Sequence, residues 1–172
     1  MTPVATPADA WVLATLVGGT GSAAAIDIAR RRIPNFVSLG LAAVGIALAA
    51  SGASGVTLRA SLAGFAVALV LMLPGHVLGA TGAGDVKLFA AAGAVLGVGR
   101  VFDAFLFVAL AGGVLALGIA WQRGRLARTI AHTAQLCGRP AAVRKTIEAP
   151  VEHNRFPYGP AIAVGTVLAA LF

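Results

Sequence analysis

The runs at about 36–56 and 60–79 contain no Asp, Glu, Lys or Arg, and their length constrains the fold more than any other feature. A helix crossing the hydrocarbon core of a bilayer takes roughly 20 apolar residues. Backbone polar groups have no water to bond there, so only helices and closed barrels cross it. Runs of the same character lie at about 9–29, 85–99, 102–121 and 158–172, the fourth and the last being short and needing little tilt. The chain is thus predicted to be an all-α polytopic membrane protein: one domain, 1–172, six transmembrane helices and a long loop at 122–157. Composition agrees. Only 11% of the 172 residues are charged and the mean hydropathy is +0.91, whereas a soluble domain carries about a quarter charged residues. No positive segment precedes the first run, whose only early charge is Asp9, so it reads as a span rather than a cleavable signal. Glycines recur in the runs (Gly18, Gly19, Gly21, Gly93, Gly97, Gly112, Gly113), as suits close approach of helices in lipid.

Assigning alternate loops to opposite sides segregates the basic residues. One side receives Arg30, Arg31, Arg32, Lys87, Arg123, Arg125, Arg128, Arg139, Arg144, Lys145 and Arg155; the other receives Arg59 and Arg100. Cytoplasmic loops hold the excess of Lys and Arg. Loops 30–35, 80–84 and 122–157 are therefore expected in the cytoplasm, with both termini on the far side. The net charge of +7 is explained by this topology. No basic stripe alternates with aromatics, so nucleic acid is not an expected partner. The single cysteine, Cys137, provides neither a disulfide framework nor a CxxC zinc site. Neither His132 nor His153 has metal-ligand spacing with it, so neither a metal nor another cofactor is expected.

Acidic residues are few. Asp9 stands at the very start of the first run, Glu148 and Glu152 lie outside the runs and Asp103 marks the start of the fifth. The remaining two, Asp27 in "AAAIDIARRRIPN" and Asp85 in "GATGAGDVKLFAAAG", fall at the same membrane boundary by the topology above. A carboxylate in a membrane segment is costly and marks a functional site by default. Two structural readings stand beside that one. Asp27 is three and four residues from Arg30 and Arg31, the spacing of a helical ion pair; Asp85 is placed to cap a helix N-terminus. Read as a pair, two close carboxylates in a low dielectric share a proton, so one can take a proton from water while the other donates to a carbonyl. This is aspartyl protease chemistry. Gly82 and Gly84 permit close approach beside Asp85 and are candidates to meet an extended substrate backbone.

Together "GAGDVKL" and "DIARRRIPN" resemble the type IV prepilin peptidases, a branch of the GxGD intramembrane aspartyl proteases. A third match is "FPYGPAIAVG", in which Pro157, Tyr158, Gly159 and Pro160 open the last span like that family's Pro-Phe-Gly-Pro. The resemblance covers about 9–172. It implies that Asp27 and Asp85 are catalytic and that Ile33, Pro34 and Asn35 form the turn after the first of them. It also implies that the basic leaders of prepilins or pseudopilins are cut after a glycine, at the cytoplasmic face of a bacterial inner membrane. The paired CxxC region of the larger bifunctional members is missing here. The chain is therefore similar to the short, peptidase-only type associated with Tad/Flp pili, without N-methyltransferase activity.

Several polar residues carry weaker expectations. Lys87, two residues after Asp85, is expected to snorkel to the interface or shape the site. Asn35 is expected to cap a helix or bond near Asp27. His76 is expected to make a polar contact between helices, the alternative being that it approaches the active site from the third span. The stretch 123–139 has an apolar stripe of Leu126, Ile130, Thr133 and Cys137 opposite basic residues, and reads either as an amphipathic helix on the inner leaflet or as a solvated loop. A non-enzymatic component of a pilus or secretion apparatus and a small proton conduit are the alternative functions. The second fits less well, because both carboxylates lie at one face.

Overall fold

The computed structural model describes residues 7–79, 81–122 and 157–172. These form six helices and no strand: α1 (Pro7–Arg30), α2 (Asn35–Ala50), α3 (Leu58–Val77), α4 (Ala83–Leu96), α5 (Val98–Gln122) and α6 (Gly159–Leu171). The amphipathic stretch 123–139 lies outside the described residues.

Local chemistry explains where the helices stop. Arg31 ends α1 in the left-handed region, at φ 52°. Pro34, extended at φ −66° and ψ 139°, is the N-cap of α2. The second helix ends at Ala50 rather than near 56, because the "SGASG" turn intervenes and Gly52 takes φ 74°. Thr57 caps α3, its hydroxyl accepting the Ala60 N–H at 3.2 Å. Gly97, also at φ 74°, is the single residue between α4 and α5.

Three helical stretches are long and apolar enough to cross a membrane: Asp9–Arg30, Leu58–Val77 and Val98–Ile119. The other three helices have 16, 14 and 13 residues. At 1.5 Å per residue they are about 24, 21 and 20 Å long, against a hydrocarbon core of about 30 Å.

The packing has a hub. Helices α1, α2, α3, α5 and α6 are neighbours in that order, α6 closing back onto α1, and α4 touches all five. Every residue from Leu88 to Leu96 is consequently buried. A helix apolar on all sides belongs in such an interior. Small residues let the ring close on it. A Cβ on Gly93 would lie 2.5 Å from the Gly64 carbonyl oxygen and 2.6 Å from Ala68 Cβ, so α3 and α4 meet backbone to backbone. The Ser61 hydroxyl donates to the Ala94 carbonyl at 2.7 Å across the same contact. In lipid, where apolar burial no longer separates right neighbours from wrong ones, such close packing and interhelical bonding hold helices together. Large apolar side chains point outward instead, among them Trp11, Phe36, Val70 and Leu110.

The contacts also distinguish the two ends. Asp9 and Arg100 approach at 3.7 Å, which brings the starts of α1 and α5 together. Gly97 packs on Val56 and Ala60, so the end of α4 is level with the start of α3. At the opposite end, Gly84 meets Ile33 and Gly159 meets Asp27. Tyr158 lies on Gly112, and α5 continues ten residues further, about 15 Å. The start of α4 is therefore set back from the end of α5.

Candidate active site

Asp27 lies in the last turn of α1, where the helix dipole disfavours a negative charge. Its own helix gives it no reason to be there. Its partner comes from the other end of the chain: Oδ2 accepts the Gly159 N–H at 2.9 Å, and the carboxylate is buried, 6% exposed. Gly159 is the first residue of α6, so its N–H has no acceptor within that helix, and a helix N-terminus favours an anion. A Cβ on Gly159 would lie 3.0 Å from Asp27 Oδ2 and 3.1 Å from Asp27 Cβ. Any larger residue would push the Asp27 side chain back. The ion pair with Arg30 or Arg31 is not formed among the described residues. Both arginines are exposed, and the left-handed turn at Arg31 leads the chain away.

Asp85 is the third residue of α4 rather than its N-cap. The N-cap is Gly82, whose N–H donates to Asp85 Oδ2 at 3.0 Å. The capping expectation is thus met in kind but shifted in place: the carboxylate reaches back from the first turn. Gly84 packs on the Ile-Pro-Asn turn, since a Cβ there would lie 3.2 Å from Ile33 Cβ. Lys87 Nζ donates to Asn35 Oδ1 at 3.1 Å, and both side chains are exposed. This bond ties the first turn of α4 to the start of α2. Asn35 itself is the first residue of α2 and neither caps it nor bonds Asp27.

The Pro157–Pro160 segment runs between the two carboxylates' surroundings. Gly159 holds Asp27, and Tyr158 before it packs on Gly112 of α5. Tyr158 lies flat on α5 because Gly112 has no side chain; a Cβ there would lie 2.6 Å from the ring and from its hydroxyl. Pro157 is half-buried and Pro160 sits within the first turn of α6, where its missing N–H costs nothing. His76 Nδ1 is 3.0 Å from the Thr81 carbonyl oxygen. This contact is with the loop after its own helix, and not with another helix as expected. No group of three or more His, Cys, Asp or Glu side chains among the described residues is arranged to hold a metal.

Two residues of this end were not singled out from the sequence. Gly112 read only as packing, and Thr81 gave no signal because its role depends on the fold of the loop. All three motifs, "DIARRRIPN", "GAGDVK" and "PYGP", do meet at one end of the bundle through Asp27–Gly159, Ile33–Gly84 and Asn35–Lys87. No curated protein and no solved structure shows a significant match to the chain. The type IV leader peptidase family matches residues 14–117, a stretch that includes Asp27, the Ile33–Asn35 turn and Asp85. That is more than half of the 172 residues, and the chain belongs to the type IV leader peptidase family.

Proposed function

We propose that this protein is a membrane aspartyl endopeptidase in which Asp27 and Asp85 cleave the basic leader of type IV or Flp prepilins or pseudopilins. The observation that carries this reading is that the three motifs meet at one end of the bundle, Asp27 through the Gly159 amide and the Asp85 segment through the packing of Gly84 on Ile33. An ionised carboxylate of the pair takes a proton from water as the water oxygen adds to the scissile carbonyl carbon. The protonated partner gives its proton to the carbonyl oxygen. The tetrahedral intermediate then collapses: the C–N bond breaks, the proton taken from water passes to the leaving amine, and the carbonyl's proton returns to the second carboxyl. Placing such groups where they meet the developing charge is the main source of rate enhancement in acyl transfer.

In this reading all six helices cross the inner membrane, with the short α2, α4 and α6 accommodated by local thinning or by flanking residues. The carboxylates face the cytoplasm, as the excess of Lys and Arg on that side indicates. The cleavage site lies just below the membrane face in this reading, where a basic leader arrives, and the set-back start of α4 supports that depth. Gly82 and Gly84 shape this end of α4, the first through its N–H to Asp85 and the second by packing on Ile33. The chain acts as a peptidase without N-methyltransferase activity.

Asp27→Asn and Asp85→Asn variants, assayed for prepilin processing in membranes, test the pair. Each is expected to abolish cleavage while the protein stays folded. Normal cleavage by either folded variant rules the pair out, and absence of cleavage by the unaltered protein favours a non-enzymatic apparatus component. A working pair also gives a bell-shaped pH profile, since one carboxyl must be protonated and the other ionised.

A further inference from the structure

The loop leading into α4 is tied to the end of α3 through the backbone of Thr81. The Thr81 N–H donates to the Gly75 carbonyl at 3.2 Å, and the Thr81 carbonyl oxygen lies 3.0 Å from His76 Nδ1. A carbonyl oxygen only accepts, so Nδ1 carries the hydrogen in this contact. Gly75 lets the loop come close: a Cβ there would lie 3.3 Å from the Thr81 hydroxyl oxygen and 3.4 Å from its methyl carbon.

The Thr81 carbonyl and the Gly82 N–H belong to one peptide unit. That unit is planar and trans, so its C=O and N–H point in opposite directions. His76 bonds one end of it, and at the other end the Gly82 N–H donates to Asp85 Oδ2 at 3.0 Å. Fixing the oxygen therefore fixes the direction of the N–H. Bonds in such a chain also polarise one another, so a donor on the carbonyl makes the N–H of the same peptide a better donor. The last turn of α3 is closed without the imidazole, because the Leu78 and Gly79 N–H groups already donate to the Pro74 and His76 carbonyls. What the exposed imidazole adds falls on the loop, and the next amide of that loop is the one Asp85 uses.

We propose that His76 is a positioning residue for Asp85, acting through the Thr81–Gly82 peptide. This rests on the peptidase reading above, in which Asp85 is one of the two reacting carboxylates.

The test compares the full-length protein in detergent with His76→Ala, His76→Asn and His76→Gln, on a prepilin substrate. An asparagine amide places its nitrogen where Nδ1 stands, whereas the longer glutamine carries it out towards the place of Nε2. His76→Ala is expected to lower kcat by about 2- to 10-fold with KM unchanged, the worth of one hydrogen bond between uncharged groups. His76→Asn is expected to recover most of that loss and His76→Gln is not. Val77→Ala, at the exposed neighbouring position, is expected to leave both constants as they are. Hydrogen exchange at the Gly82 amide is expected to quicken in His76→Ala by a similar factor, while exchange at Ala68, buried in the middle of α3, stays the same. Full kcat in folded His76→Ala overturns the positioning role, as does an equal loss in the Asn and Gln variants. Exchange that quickens at Gly82 and Ala68 alike also overturns it, being the sign of general loosening. The exchange measurement needs no substrate: absence of cleavage by the unaltered protein defeats the peptidase reading, and faster exchange at Gly82 alone still establishes the link from His76 to Asp85.

Discussion

Replacing Gly159 by alanine perturbs Asp27 without touching its carboxyl group. The new Cβ would start 3.0 Å from Asp27 Oδ2 and 3.1 Å from Asp27 Cβ, whereas carbon atoms rest at about 3.5–4.0 Å. The carboxylate must therefore retreat by about 0.5 Å. The Gly159 bond, now 2.9 Å, would stretch beyond the usual limit of about 3.2 Å for N–H···O. Hydrogen bonds to charged groups contribute about 1.5–3 kcal/mol. If Asp27 needs this bond to stand in place during catalysis, kcat/KM falls by roughly 10- to 150-fold, at about 1.36 kcal/mol per decade. The assay is leader cleavage by Gly159→Ala, with thermal unfolding in detergent to confirm that the helices remain packed. Adding Gly159→Ala to Asp27→Asn should change little, because the two substitutions act on one contact and are not additive. Full activity in folded Gly159→Ala refutes the argument that the α6 amide positions Asp27.

Three further outcomes follow from the packing. Gly93→Leu drives a side chain into the Gly64 backbone, which cannot yield as a side-chain tip can. It should cost about 3 kcal/mol or more, at or above the usual range for overpacking, read as loss of monodisperse folded protein in detergent. Lys87→Ala or Asn35→Ala removes one exposed bond between α4 and α2, worth about 0.5–1.5 kcal/mol; cleavage is expected to fall by less than about 10-fold in either, and the double variant to match the singles. Arg100→Ala breaks only an exposed pair at 3.7 Å, so its melting temperature should stay close to that of the unaltered protein, as exposed pairs contribute about 0–1 kcal/mol.

By itself, the sequence determined the six helices among the described residues, most of their boundaries and the three motifs. These follow from local physics: apolar run length, the glycines at positions 52 and 97, the caps before α2 and α3, and the scarcity of carboxylates. It misplaced the end of α2 because hydropathy continues through "SGASG", where turn chemistry stops the helix. It also paired Asp27 with its nearest arginines, the only partners that helical spacing offers. Only the tertiary structure decided that α4 is the hub, because lipid and neighbouring helices are equally apolar and hydropathy cannot tell one from the other. Only it brought Gly159, 132 residues away, onto Asp27, and seated Tyr158 on Gly112. Those contacts depend on which helix backbones come close enough to touch, and no local pattern along the chain encodes that.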